Sequence, residues 1–330
     1  MTTPRLTRRE LLRNAFAIAA VTAVGGAHVF DAPFAGVREQ TRGRKTTLPT
    51  RLLGRTGERV TTLAFSGESA LRAADSEPRA DALINAALDH GITYFDSARE
   101  YGDAEIHLGR VLGKRRGEIF LATKVDARPY DDAWRSIETS LRNLRTDHVD
   151  LLQIHHVQSL DDADRVTAKD GSLKAVVEAR EQGLARHLGV TGHREPEALI
   201  EMLRRFDFDT IVMPMNAADP HYLPFQGPLL DLALERRMGV INIKVLGRGV
   251  LLQGEHAISI QDAVNYALSL PVTAAVVGVA NAGQLPRLVQ AVRNFKQLSA
   301  ADMIALAART APVAREANFF KRDAGAPWPE

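Results

Sequence analysis

Asp96, Tyr101, Lys124 and His155 are the residues whose types could do chemistry together. A phenol with a pKa of roughly 10 holds its proton too well to be a good acid near neutrality. A neighbouring ammonium is expected to lower that pKa by favouring phenolate, and a carboxylate behind the ammonium keeps it charged and aimed. An imidazole opposite the phenol can donate a hydrogen bond to a carbonyl oxygen as negative charge develops there. Such a set polarises a C=O group and protonates the alkoxide that forms. The chain offers no close carboxylate pair for glycoside hydrolysis. It has no cysteine, hence no thiolate ligand or nucleophile. His155 and His156 are neighbours on a strand, so they are expected to face opposite sides and not to share a metal ion. A hydride donor is the missing part, and it implies a nicotinamide.

The elements that must position these residues are short apolar runs separated by helical stretches. The runs are Thr61–Phe65, Ile92–Phe95, Ile119–Thr123, Val149–Ile154, His187–Val190, Thr210–Met213, Val240–Ile243 and Ala274–Val277. Between them, stripes such as Trp134, Ile137, Leu141 and Leu144 recur at helical spacing, with Asp131 or Asp132 as the expected cap. Eight β/α units predict a closed (β/α)8 TIM barrel over residues 50–298. A doubly wound dinucleotide fold would carry Gly-x-Gly-x-x-Gly after an early strand, and none is present. A hairpin, Thr50–Leu53 with Glu58–Val60 around Gly54 and Gly57, precedes the barrel. Residues 299–330 predict a helix capped by Ser299 and Asp302 and a tail packed over the rim.

In a parallel barrel all strand C-termini share one face, where active sites sit. The residues at or just past those ends are Glu68, Asp96, Lys124, His155, Thr191, Asn216, Lys244 and Gly278, with Tyr101 in the loop after the second. Singly, each has a plain structural reading. Asp96 could cap the next helix, Lys124 could extend its ammonium past the strand end, and His155 could be a core histidine bonded to a carbonyl. Their convergence on one pocket favours the functional reading.

The N-terminal stretch reads as an address. Arg8-Arg9 precedes an apolar run from Ala15 to Ala27 that is shorter than the roughly 20 residues of a spanning helix. The pattern resembles a twin-arginine export signal over residues 1–35, followed by a flexible spacer over 36–49. It predicts the Tat export machinery as a partner, a periplasmic or extracellular location and no stable membrane span. Of the 330 residues, 45% are apolar and 25% charged, as in a soluble globular protein. The net charge of +2 resides in residues 1–35; the remainder is neutral, which argues against the basic face of a nucleic-acid binder.

Phe95-Asp96-Ser97-Ala98-x-x-Tyr101-Gly102, Thr123-Lys124, Asp150-Leu151-Leu152-Gln153-Ile154-His155 and Gly189-Val190-Thr191 together resemble the aldo/keto reductase family, over about Leu52 to Phe295. The resemblance implies a (β/α)8 barrel reducing aldehyde and ketone carbonyls, or oxidising the matching alcohols, with NADP(H) ahead of NAD(H). It makes Tyr101 the general acid/base, Asp96 and Lys124 its tuning pair, His155 the carbonyl-orienting donor and His156 a substrate-flanking residue. It places Thr191, Met215 and Asn216 beside the nicotinamide, Lys244, Gly247 and Arg248 over the pyrophosphate, and Gly278 and Gln284 where a 2′-phosphate is usually held. The cofactor half departs from the pattern. Met215 stands where a stacking Tyr is usual, Thr191-Gly192 replaces Ser-Asn, and Gly278 and Gln284 replace a Lys/Arg pair. An exported barrel that holds a nicotinamide with slow turnover is the alternative function.

Overall fold

The computed structural model describes residues 48–68, 71–72, 77–279 and 282–321. The expected leader, most of the spacer and the end of the tail, including Pro327-Trp328-Pro329, lie outside the described residues. Strands β1 (Thr50–Leu52) and β2 (Arg59–Thr61) pair antiparallel in the expected hairpin, with Gly57 left-handed (φ 76°) at its turn. Eight parallel strands follow: β3 (Leu63–Ser66), β4 (Tyr94–Asp96), β5 (Phe120–Val125), β6 (Val149–Ile154), β7 (Ala185–Thr191), β8 (Thr210–Pro214), β9 (Gly239–Ile243) and β10 (Ala274–Val277). They pair in sequence order and β10 returns to β3, closing the barrel as expected.

Alternation along each strand divides the core in two. Ala64, Tyr94, Phe120, Ala122, Leu151, Val212, Ile241, Ala274 and Val276 form the cluster inside the barrel. Tyr94 packs edge-on against Phe120 there, with ring centroids 5.1 Å apart. Leu53 and Val60 join this cluster from the hairpin and stopper the barrel at the strand N-termini. The stopper fits because Gly239 opens β9: a Cβ there would lie 2.6 Å from Leu53 Cδ1. Residues of the opposite parity, such as Phe65, Phe95, Leu121 and Leu152, face the helices in the larger cluster. At roughly 1.5–3 kcal/mol for each fully buried large apolar side chain, these layers supply the main drive for folding. Asp150, buried near the start of β6, accepts the Leu121 amide (2.8 Å) and pairs with Arg116 (2.7 Å) and Arg186 (2.8 Å), pinning β5 against β6.

Two local expectations shift. The helix expected to start at Asp131 or Asp132 spans Tyr130–Asn143 after Pro129, with both aspartates in its first turn, where they complement the helix dipole. Asp96 caps no helix. It lies inside β4, opposite Ser66 and Ala122, and the next helix begins at Ala104.

The helix Ala300–Thr310 carries the expected capping box from Ser299 and Asp302, and the chain then turns back over the mouth. Lys321 forms a fully buried ion pair with Asp219, which follows β8. Asp219 also accepts the amides of Phe225 (3.2 Å) and Gln226 (3.0 Å), while Lys321 Nζ donates to Tyr222 O (3.0 Å). Breaking such a pair strands a buried charge, so Asp219→Ala is expected to cost about 3–5 kcal/mol, read as a lower urea midpoint. Adding Lys321→Met should restore much of the loss; a single substitution costing under about 1 kcal/mol would show that the pair is not holding the segment.

Candidate active site

The inward parity of three adjacent strands builds the centre of the site. Asp96 follows Tyr94 on the inner face of β4, Lys124 follows Ala122 in β5, and Gln153 follows Leu151 in β6. Lys124 Nζ forms a buried ion pair with Asp96 Oδ1 and donates to Ser97 O at 2.8 Å. Gln153 Nε2 donates to the other Asp96 oxygen at 3.1 Å. Tyr101 swings in from the loop after β4, its ring centroid 5.0 Å from Lys124 Nζ and 5.8 Å from the His155 ring. All four expected catalytic residues therefore meet in one buried cluster.

The electrostatics depart from expectation at Tyr101. Burial, together with the carboxylates of Glu68, Asp96, Glu100 and Asp126, holds its phenol well above the usual tyrosine value of 10.0. Lys124 was expected to pull this value down, but its ammonium is directed into Asp96 and Ser97 O, and burial with the four negative groups sets the sign. The phenol therefore stays protonated at neutral pH. Burial, with His156 and Lys124 nearby, holds His155 well below the ordinary histidine value and so uncharged.

The two adjacent histidines overturn the expectation of opposite faces. The strand ends at Ile154, and His156 adopts a left-handed conformation (φ 52°). Its ring turns back onto that of His155, with centroids 3.6 Å apart and planes at 22°. Arg128 fixes this turn by donating to His155 O (2.9 Å) and His156 O (2.7 Å), while Thr191 Oγ1 accepts the His156 amide (3.1 Å). His156 Nε2 lies 2.5 Å from Glu100 Oε1. His193, buried after β7, stands edge-on to His156 at 4.6 Å. Its imidazole too is held well below the ordinary value, by burial and then by His156.

The expected cofactor residues divide. Met215 is fully buried in the core between sheet and helices with Met213; Val212 is the inward residue of β8. Met215 therefore presents no face on which a nicotinamide could pack, which corrects its expected role. Asn216 is also buried and committed: its side chain donates to Lys244 O (3.2 Å) and Asn318 Oδ1 (3.1 Å) and accepts the Ala218 amide (2.9 Å). Its expected place beside the nicotinamide gives way to anchoring the C-terminal segment. Lys244, Gly247 and Arg248 stand on one loop at the mouth, and Gly247, Arg248 and Gly249 all have positive φ. Glu68 offsets their charge, 3.0 Å from Lys244 Nζ and 3.7 Å from Arg248 Nη2. Gly278 and Gln284 are exposed between β10 and the helix Leu285–Arg293.

Sequence reasoning missed Gln153, Arg128, His193 and Asn318. The parity of Gln153 with Lys124 across β5 and β6 was a usable signal. Arg128 and Asn318 act through loop and tail geometry, which leaves no periodic trace.

Because its phenol resists ionisation, replacing Tyr101 by Phe should leave the phenolate absorbance that develops around pH 10 unchanged from wild type. Loss of one tyrosine equivalent from that step would contradict the electrostatic account.

Residues 62–263 match the profile of the Aldo/keto reductase family. An aldo-keto reductase of Strobilurus tenacellus is 30% identical over 227 residues, covering 62% of this chain and 63% of that protein. The pyridoxal 4-dehydrogenase of Microbacterium luteolum is 27% identical over 252 residues, covering 61% of this chain and 71% of that protein. The chain thus spans just under two thirds of the first of these. Among solved structures, the holo form of an aldo-keto reductase from Bacillus halodurans superposes with a TM-score of 0.68 at 24% identity, covering 79% of this chain and 96% of that one. That structural likeness speaks for the fold alone. The profile match extends over more than half of the sequence, and the chain belongs to the aldo/keto reductase family.

Proposed function

We propose that the chain is a nicotinamide-dependent oxidoreductase that reduces aldehyde or ketone carbonyls, or oxidises the corresponding alcohols, with Tyr101 as acid/base. The observation that carries this reading is the meeting of Tyr101, Lys124, Asp96 and His155 in one buried cluster. A carbonyl oxygen placed between Tyr101 and His155 would face two donors. His155 turns Nδ1 toward Asp126 and Nε2 is free for the substrate; since the imidazole is neutral, its single proton must sit on Nε2 for it to act as donor. As charge builds on the oxygen, His155 donates a hydrogen bond and Tyr101 transfers its proton. Lys124, anchored by Asp96 and Ser97, then stabilises the phenolate left behind. The raised Tyr101 pKa keeps that proton in place through neutral pH, so reduction should be insensitive to pH there. Alcohol oxidation, which needs phenolate, should rise toward alkaline pH.

When bound, a nicotinamide supplies the hydride to the carbonyl carbon. The residues present fit such a group in part. Lys244, Gly247 and Arg248 join two cations to left-handed backbone, which suits a pyrophosphate. Thr191 lies at the strand end beside the catalytic cluster, where the ring would rest. The buried Met215 and Asn216 add no contact on that side. Gly278 and Gln284 put no cation where a 2′-phosphate is usually held, so the preference for NADP(H) over NAD(H) rests on the name of a fission-yeast relative, 28% identical over 231 residues, which carries NADP(+).

Tyr101→Phe is expected to lower turnover of an aldehyde panel by roughly 10²–10⁴-fold, while nicotinamide affinity stays within about twofold. Retained turnover, or binding lost in parallel, would remove Tyr101 from this role. The altered cofactor side also favours a second reading, a barrel that holds a nicotinamide with slow turnover. Wild-type protein that binds NADPH yet reduces no member of the panel would select it.

We further propose that residues 1–35 act as a twin-arginine export signal, from the Arg8-Arg9 pair ahead of the Ala15–Ala27 run. Fused to a reporter, this segment should direct export, and Arg8→Lys with Arg9→Lys should abolish it. Export that survives the double substitution would reject the twin-arginine route.

A further inference from the structure

One carboxylate engages both cations of the loop after β9. Glu68 follows β3 and reaches past the end of β10, which lies between β3 and β9 in the barrel. Lys244 Nζ donates to Glu68 Oε2 at 3.0 Å and to Oε1 at 3.3 Å, and Arg248 Nη2 lies 3.7 Å from Oε1. Lys244 (φ 57°) and Arg248 (φ 54°) both hold left-handed backbone, uncommon for residues with a side chain, and both aim a cation at this carboxylate.

This pair is built unlike the other ion pair of the rim. Asp219 and Lys321 are fully buried, and that carboxylate also accepts two backbone amides. The Glu68 side chain is 23% exposed and that of Lys244 10%. Among the described residues the Glu68 carboxylate accepts no backbone amide. It can therefore turn to water without leaving a buried bond unmade, whereas the deeper ammonium cannot follow it. Burial lowers the Lys244 pKa and Glu68 opposes that lowering, so the ammonium requires an anion beside it, whichever group supplies the charge.

We propose that Glu68 is a specificity-determining residue of the cofactor site: its carboxylate occupies Lys244 and Arg248 in place of a phosphate and yields only to a ligand that brings further contacts. This rests on the reading that these cations hold the pyrophosphate of a nicotinamide dinucleotide. A tethered carboxylate acts at an effective concentration on the order of millimolar. Free phosphate below that level loses to it. A dinucleotide displaces it because its bases and riboses add binding that one side chain cannot match. The exchange keeps a negative charge beside Lys244 and turns Glu68 toward solvent. The affinity measured for any anion is then the intrinsic one, reduced by the fraction of time in which Glu68 is away.

The test is calorimetry on the full chain with inorganic pyrophosphate, which needs no nicotinamide, and with NADPH. Glu68→Gln keeps the shape and removes the charge. It is expected to bind pyrophosphate at least roughly tenfold tighter than wild type, as when the cations are uncovered about a tenth of the time or less. Adding Lys244→Met should remove that gain, and pyrophosphate should raise the melting temperature of Glu68→Gln more than that of wild type. Circular dichroism shows whether Glu68→Gln is folded. Should it not be, Glu68→Asp, one methylene shorter, is expected to shift the affinity in the same direction. Pyrophosphate affinity within about twofold of wild type, absence of binding by every variant at millimolar concentration, or a gain that survives Lys244→Met would overturn the proposal. Tighter pyrophosphate with no NADPH binding by any variant would support the role of Glu68 and reject the nicotinamide reading, so the two failures are distinct.

Discussion

The site depends on one buried ion pair, Lys124 with Asp96, set between neighbouring strands inside the barrel. Removing two charges from water is expensive, and their attraction repays it only when the remaining hydrogen-bonding capacity is filled. Gln153 and the Ser97 carbonyl fill it. The pair exists because β4 and β5 align Asp96 with Ala122, which leaves Lys124 one inward step higher. A slip of one residue would turn the lysine into the helix layer. The alternation that packs Tyr94 against Phe120 lower in the barrel is therefore what aims the charged groups at its mouth.

Charge around this pair is arranged in layers. Glu68, Asp96, Glu100 and Asp126 surround Tyr101 and hold its proton, while Lys124 and Lys244 are each tied to one of these carboxylates. The Lys124 ammonium is held by Asp96 and Ser97 O, with Nζ 5.0 Å from the Tyr101 ring centroid.

The barrel was legible because buried parallel strands read as apolar runs and their helices as stripes such as Trp134, Ile137 and Leu141. The tetrad was legible because each member stands at a strand end or in the adjoining loop. What escaped was geometry without periodicity. The left-handed turn at His156 is set by Arg128 and Thr191, neither of which marks it in the sequence. Met215 was placed beside the nicotinamide by resemblance alone; Val212 is the inward residue of β8, and Met215 packs with Met213 in the core between sheet and helices. The sign of the Tyr101 shift was missed because it is set first by the depth of burial, and then by carboxylates of Glu68, Glu100 and Asp126 that arrive from three separate loops.

The latch between Asp219 and Lys321 has a consequence for biogenesis. Synthesis is vectorial, and the lysine leaves the ribosome 102 residues after the aspartate. Throughout that interval the acid lacks its cation, and β9 and β10 are both synthesised before the lysine. Only when the late segment docks, with Asn318 reaching Asn216, does the rim become dry. A nascent chain stalled in this window would be a finished barrel with an open lid, and the last step of maturation would be desolvation of a single ion pair.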